Sequence, residues 1–504
     1  MLSPSRKEYG MASACCVVVT LFYIFFSAQS GFDTPVLHLT TSPSSPQTIE
    51  AISDQYTETK DILPTDARVN IENSRVVWNA HNVPVTKIVQ HQPGWTILDN
   101  VYALNGTFYL VHSDTTNGTT FPERYLMISN GAPRLDDQPA ADRAPTDVNM
   151  QIINATEAKR IFGTFANRME GTSFVCYDDV KYFAHYYHYA AEILLGLWRT
   201  YSSLDTKITA AGHTSLPQPR RFITPNILTS TWRDYAKMNQ YVFHAALPST
   251  GLEFKEDWTD RAEMYRPFVF DRIVLQDSTA SRRDPEFYPV EKITGIADRL
   301  PKSVIKDPSG RLRGNWWSPV RWNVVTFSGL TRDPELVLQN KPVIMYVSRQ
   351  SWGRRMLRSQ DHDTLVRSLE QLREKHGWEV NVVELEGMSR MEQIKLVGRS
   401  TILMGVHGNG LTALLWMQST HKSAVFEFFY PQGFAEDYEY TSRLLGIKHY
   451  GWWNNTHFTY PDIPDKRKLE NNGFPPNFQS NEIPLDGEAV AKLCEQRLLG
   501  TEDE

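Results

Sequence analysis

Residues Thr401–Met417 read TILMGVHGNGLTALLWM, and this stretch decides the fold. Thr401–Gly405 is an apolar run of strand length, Val406–Gly410 a turn, and Leu411–Met417 the start of a helix. A turn at the carboxyl end of a strand that holds two glycines and a histidine puts ligand-facing groups at a helix N-terminus. Backbone N–H groups and the helix dipole there favour phosphate. Gly408 and Gly410 let the backbone approach such an anion with no side chain in the way. Alone, the turn also fits a plain tight connection with a hydrogen-bonded His407. The flanking sequence has to decide.

Those flanks are regular. From Lys341 onward, Pro342–Ser348, Trp378–Leu385, Thr401–Gly405, Ala424–Phe428 and Ile447–Tyr450 read as strands. Helices are predicted over Asp363–His376, Arg390–Val397, Gly410–Met417 and Ala435–Leu445. Leu365, Leu369 and Leu372 share one face of the first, and Gly377 stands at its stop position. Ser389 and Glu392 form a capping box for the second. Strands alternating with helices imply a parallel sheet with right-handed crossovers, a Rossmann-like domain. Ligands meet such sheets at the carboxyl ends of the strands. Ser348, His407 and Phe428 fall at those ends, so Arg349, His407 and Glu427 are expected to share a crevice.

Three groups of residues could carry chemistry there. Arg349, Arg354 and Arg355 in SRQSWGRR follow the first strand, and guanidinium forks suit diphosphate oxygens. The alternative is a solvated basic loop. Glu427 lies in the apolar strand VFEFF, where a carboxylate needs a partner: a ribose diol, an arginine or a backbone amide. A further helix is predicted over Tyr182–Tyr201, and it brings His185, His188 and Glu192 together. His188 and Glu192, four residues apart, share a face and make a plausible general base for a sugar hydroxyl. A zinc site is the rival, but no HExxH pattern or further ligand cluster supports it. A half-buried aromatic helix with one hydrogen-bonded histidine is the plainest alternative.

The chain has 504 residues, 41% hydrophobic and 12% aromatic, enough for more than one core. Its net charge is -6 and no basic field of the kind nucleic acid needs is present. Gly10–Phe32 carries no charge; Arg6 and Lys7 precede it and Asp33 follows. Residues 1–10 are therefore read as a cytosolic tail and 11–28 as an uncleaved signal-anchor of a single-pass type II membrane protein, with a cleaved signal peptide as the rival. Residues 29–67, rich in Thr, Ser and Pro, read as a stem. Either reading puts the rest in the secretory lumen, as do the glycosylation sequons at Asn105, Asn117, Asn154 and Asn454. Cys176 and Cys494, the lumenal cysteines, could pair there or remain two buried thiols.

In order along the chain, these pieces resemble glycosyltransferase family 61. HYYHYAAEILLGL matches the family segment NYFHxxxExLPxL through His188 and Glu192. Ser348, Arg349 and Arg354 or Arg355 match SRxxxxxR, and Glu392–Ile394 match EQI. His407-Gly408-Asn409-Gly410-Leu411-Thr412 matches HGAGLT, with Asn409 in place of the family Ala and Ala413 in place of the family Asn. Val425 and Glu427 match the VxEL strand, and IKHYGWWN is similar to the protein O-mannose N-acetylglucosaminyltransferase branch. The resemblance implies an α/β fold of GT-B type, two Rossmann-like domains facing a cleft: 68–338 on the acceptor side, 339–453 on the nucleotide-sugar side, and 454–504 a tail packing back. It also implies inverting transfer of a sugar, N-acetylglucosamine or xylose first, from a UDP-sugar to a glycan or glycoprotein hydroxyl in the Golgi or endoplasmic reticulum. His188 or Glu192 would be the base. The arginines, the segment from His407 to Thr412, and Glu427 would hold the donor, with no metal or other cofactor required. The alternative is a catalytically inactive protein that binds UDP-sugar or glycan.

Overall fold

The computed structural model describes residues 74–78, 83–114, 120–133, 143–285, 287, 292–306, 312–331 and 341–502. The cytosolic tail, the signal-anchor, the stem, Asn117 and the boundary expected at 338 all lie outside the described residues. No helix among the described residues is long and apolar enough to cross a membrane.

The C-terminal sheet follows its sequence pattern closely. Its strands are β12 (Val343–Val347), β13 (Glu379–Val383), β14 (Ile402–Val406), β15 (Ala424–Phe429), β16 (Lys448–Trp453) and β17 (Thr456–Phe458), in the spatial order β13-β12-β14-β15-β16-β17. All neighbours are parallel except the β16–β17 hairpin. The central runs VIMYV, ILMGV and AVFEFF are buried throughout, as strands covered on both faces must be. The order reverses direction between β12 and β14, and such a switch point opens a crevice beyond the strand ends. Helices Ser359–His376 and Arg390–Arg399 connect the strands. The first ends on Gly377 at φ 66°. The second opens with the expected box, in which Glu392 accepts the Ser389 N–H at 2.8 Å and Ser389 accepts that of Glu392 at 3.3 Å. The tail packs back through Gly487–Leu499, with Glu495 held by His376 and the Leu485 N–H donating to Asp361 at 3.0 Å.

The N-terminal sheet is mixed. Its long strands are β3 (Trp95–Leu104), β6 (Phe165–Cys176) and β9 (Phe268–Gln276). β9 runs parallel to β6 and antiparallel to β3, so this half is not a purely parallel Rossmann sheet. The two sheets share one continuous core, in which Trp95, Trp198 and Trp316 meet Met345, Leu414 and Trp416. Buried Arg321 fastens the seam, donating to the carbonyls of Trp416 at 2.9 Å, Met417 at 2.8 Å and Gly398 at 2.8 Å.

Two predicted helices differ from expectation. Tyr182–Tyr201 is not one α-helix: Val180–Phe183 is a single turn, His188–Leu194 is a π-helix, and Leu195–Tyr201 is α. The Leu195 N–H reaches back to the Ala190 carbonyl, the wide bond that marks π geometry and often accompanies a functional site. Asn409–Trp416 is a 3₁₀-helix, its small and apolar residues wound tightly against the core. Of the two readings of the cysteines, the possible disulfide is not formed. Cys176 and Cys494 are free buried thiols in separate cores, and Cys176 donates to Gln276 Oε1 at 2.9 Å. Asn105, Asn154 and Asn454 are exposed.

Gly196 faces Trp95 so closely that a Cβ there would lie 2.2 Å from the indole Cη2. The ring cannot retreat, because it is fully buried and its Nε1 donates to the Ile293 carbonyl at 2.9 Å. Gly196→Ala should therefore cost about 1–3 kcal/mol of stability, read as a lowered unfolding temperature of the full chain.

Candidate active site

At the switch point lies a crevice of about 590 Å³, walled on one side by the carboxyl ends of β12 and β14 and on the other by the π-helix and its approach. His185, His188, Arg349, Arg354, Arg355, His407, Gly408, Asn409 and Gly410 all line it. Sequence positions some 220 residues apart thus meet, and specific bonds hold them: the Tyr187 N–H donates to Asn409 Oδ1 at 3.2 Å, and Trp416 Nε1 to Tyr186 Oη at 2.8 Å.

On the π-helix wall, His188 Nδ1 lies 2.5 Å from Glu192 Oε2. The Glu192 side chain is 5% exposed and that of His188 39%, so the carboxylate sits behind the imidazole and Nε2 is left for the crevice. Burial alone would lower the His188 pKa, but the charge and hydrogen bond of Glu192 outweigh it, and the net shift is upward. Glu192 is shifted down: burial opposes ionisation, and His188 overcomes it. His185, with its ring centroid 5.0 Å from that of His188, is pushed down to about 4 by burial and by His188. Among the described residues no group of three or more His, Cys, Asp or Glu has the geometry to hold a metal ion.

On the opposite wall no ion pair with Arg349, Arg354 or Arg355 forms among the described residues; the nearest acidic influence on Arg349 is the charge of Glu386, which also lines the crevice. The Nε atoms of Arg349 and Arg355 are buried without a hydrogen-bond acceptor. Burial and the neighbouring Arg355 lower Arg349 to about 10, which leaves it charged at neutral pH. Arg355 Nη1 donates to the His407 carbonyl at 3.1 Å, and the Arg349 guanidinium lies over Gly408, where a Cβ would approach its Nη1 to 2.7 Å. Glycine at 408 lets a guanidinium and a backbone N–H share one small volume. The first 3₁₀ bond is Leu411 N–H to the Gly408 carbonyl, so the N–H groups of Gly408, Asn409 and Gly410 precede it as helix-end donors with no acceptor among the described residues.

Several assigned residues act differently from expectation. Leu411 and Thr412 do not face the crevice; both are buried, and Thr412 Oγ1 donates to Asn409 Oδ1 at 3.3 Å. The ribose contact expected of Glu427 is corrected. Its carboxyl has no exposure, with His407 Nδ1 2.5 Å from Oε1 and His449 Nε2 2.8 Å from Oε2. Burial pushes Glu427 well up and both histidines down to about 3. The arrangement without net charge is a protonated Glu427 donating to His407 Nδ1 and accepting from the His449 Nε2–H. His407 then carries its N–H on Nε2, a donor for an anion in the crevice.

Sequence reasoning missed Asp437, Lys292, Tyr187, Tyr235 and Trp352. Lys292 binds Asp437 across 145 positions, and no local pattern announces such a pair. His449 stands in the IKHYGWWN segment, but only the strand register sets it beside Glu427.

This is an α/β enzyme with a ligand crevice at a sheet switch point, one wall arginines and the other a carboxylate-backed imidazole. The family model described as Glycosyltransferase 61 matches residues 186–424: the chain carries a glycosyltransferase family 61 domain and is a glycosyltransferase. No curated protein matches it significantly. Among solved structures, the crystal structure of a diflavin flavoprotein A3 from Nostoc sp. is matched at 21% identity over 32% of this chain and 100% of that one, with a TM-score of 0.19, too low to carry any argument.

If Glu427 is neutral and structural, Glu427→Gln keeps both hydrogen bonds and should change stability by less than about 1 kcal/mol, whereas Glu427→Ala strands two buried imidazoles at about 1–3 kcal/mol each. Thermal unfolding of the two variants checks the difference.

Proposed function

We propose that the chain is an inverting transferase that moves a sugar from a UDP-sugar to a glycan or glycoprotein hydroxyl, on a GT-B-like framework anchored as a type II membrane protein of the secretory pathway. The observation that carries the mechanism is the pair of facing walls: Arg349 and Arg355 beside helix-end N–H groups on one side, His188 backed by Glu192 on the other.

In this reading the diphosphate lies against Arg349, Arg355, the His407 Nε2–H and the N–H groups of Gly408–Gly410. The acceptor hydroxyl lies at His188 Nε2. As the acceptor oxygen bonds to the anomeric carbon, its proton passes to Nε2, and the bond from that carbon to the β-phosphate oxygen breaks. UDP leaves with the electron pair, and the cationic wall stabilises the growing charge. Glu192 accepts the Nδ1–H, fixes the tautomer and stabilises the imidazolium once formed. A single displacement of this kind inverts the anomeric centre. N-acetylglucosamine and xylose are the donors to try first.

His188→Ala should lower kcat by about 10²–10⁴-fold with little change in UDP affinity; unchanged turnover in steady-state assays removes His188 from the chemistry. The base works unprotonated and its pKa is raised, so activity should fall on the acid side at a pH above the ordinary imidazole value of about 6.5. Glu192→Gln deletes the charge that lifts His188, leaving burial to dominate, and should move that limb to lower pH. Arg349→Ala should weaken UDP binding about 10- to 100-fold in titration calorimetry, the worth of a charge-assisted hydrogen bond.

A further inference from the structure

Between the two walls stands a carboxylate that neither the arginines nor the histidines use. Asp437 lies in the first turn of the helix Glu436–Leu444, and it lines the crevice with His188, His407 and Arg355. Acidic residues in a first helical turn ordinarily serve the dipole, and Glu436 and Glu439 share that turn. Their surroundings differ. Glu439 is 1% exposed and bound to Arg443. Asp437 keeps 27% of its side chain accessible.

One of its oxygens is fixed. Lys292 Nζ donates to Oδ1, and that ammonium, mostly buried, lies 5.7 Å from the Tyr187 ring centroid. Tyr187 Oη in turn donates to the Asp437 carbonyl at 3.0 Å. Side chain and backbone are thus both pinned, while Oδ2 has no hydrogen-bond partner among the described residues. The carboxylate stays ionised: burial opposes it, but the charge of Lys292 above all holds its pKa down to about 2.

A fixed anion beside a cationic diphosphate site repels the phosphates, so for UDP alone it is a cost. It becomes an asset when the ligand brings hydroxyl donors and a carbon that turns cationic in the transition state. Asp437 lines the same crevice as His407 on the donor wall and His188 on the acceptor wall. In a nucleotide-sugar the transferred ring occupies that interval, between the diphosphate and the attacking hydroxyl.

We propose that Asp437 Oδ2 accepts a hydrogen bond from a ring hydroxyl of the donor sugar and makes Asp437 a specificity-determining residue, with Lys292 and Tyr187 holding it in place. The assignment rests on the nucleotide-sugar reading above. A site built to bond a hydroxyl rejects a sugar lacking it there, because the buried acceptor is then left unpaired. The same negative charge favours the oxocarbenium-like carbon formed on transfer.

The test uses the full chain and its Asp437→Asn and Asp437→Glu variants, titrated with UDP, UDP-N-acetylglucosamine and UDP-xylose and assayed for turnover with both donors. Asp437→Asn leaves Lys292 an amide oxygen, and its unfolding temperature shows that the fold is kept. The expected result is UDP affinity unchanged or tightened, UDP-sugar affinity weakened about 10-fold or more, and a kcat/KM preference between the donors that shrinks in Asp437→Asn and shifts in Asp437→Glu. Equal weakening of UDP and UDP-sugar, or an unaltered donor preference in both variants, overturns the role of Asp437 alone. If the unaltered chain binds no UDP, the nucleotide reading fails and this assignment with it.

Discussion

A carboxyl group with no access to water, gripped on both sides by imidazoles, organises the C-terminal half of this enzyme. Glu427 lies in the middle of a fully buried strand, and its oxygens meet His407 at 2.5 Å and His449 at 2.8 Å. Burying an unpartnered carboxyl is costly, and its partners come from the neighbouring strands: His449 within β16 and His407 immediately after β14. Satisfying it therefore fixes β14 and β16 against β15. The trio also fixes the rotation and tautomer of His407, whose other nitrogen reaches the crevice. A polar group inside the sheet in this way decides what the sheet offers at its edge.

The same logic recurs where the two sheets meet. Asn409 departs from the family consensus, yet it is the residue that accepts the Tyr187 N–H. Trp416 on the same 3₁₀-helix bonds Tyr186. The turn that offers N–H groups to an anion is thus bolted to the approach of the helix that offers the imidazole. The two walls rise from one continuous tryptophan-rich core. The π-geometry begins at His188, whose imidazole bonds Glu192 within the same helix.

Electrostatically the crevice is divided. Arginines that form no ion pair among the described residues crowd one wall, and burial lowers the pKa values of Arg349 and Arg355 without neutralising them. An imidazole raised by its carboxylate occupies the other. Perturbations of this kind, caused by desolvation together with a specific partner, gather where chemistry is performed. The chain's glycosyltransferase family 61 domain spans the residues of both walls from Tyr186 to Asn409.

The amino-acid sequence by itself determined the C-terminal sheet. Its strands are apolar runs flanked by capping signals, and this local information settled β12 to β16 to within a few residues. It also placed Arg349, Arg355 and His407 just past strand ends, which converge in a parallel sheet whatever their separation in the chain, and His188 on a helix; all four line one crevice. The mixed pairing of the first sheet, the π- and 3₁₀-helices and the Lys292–Asp437 pair were decided only by tertiary structure. Each depends on partners a hundred or more residues away or on packing against the core. Glu427 shows the limit most clearly: its strand showed that it needed a partner, but only the register of the neighbouring strands revealed two histidines and no ribose.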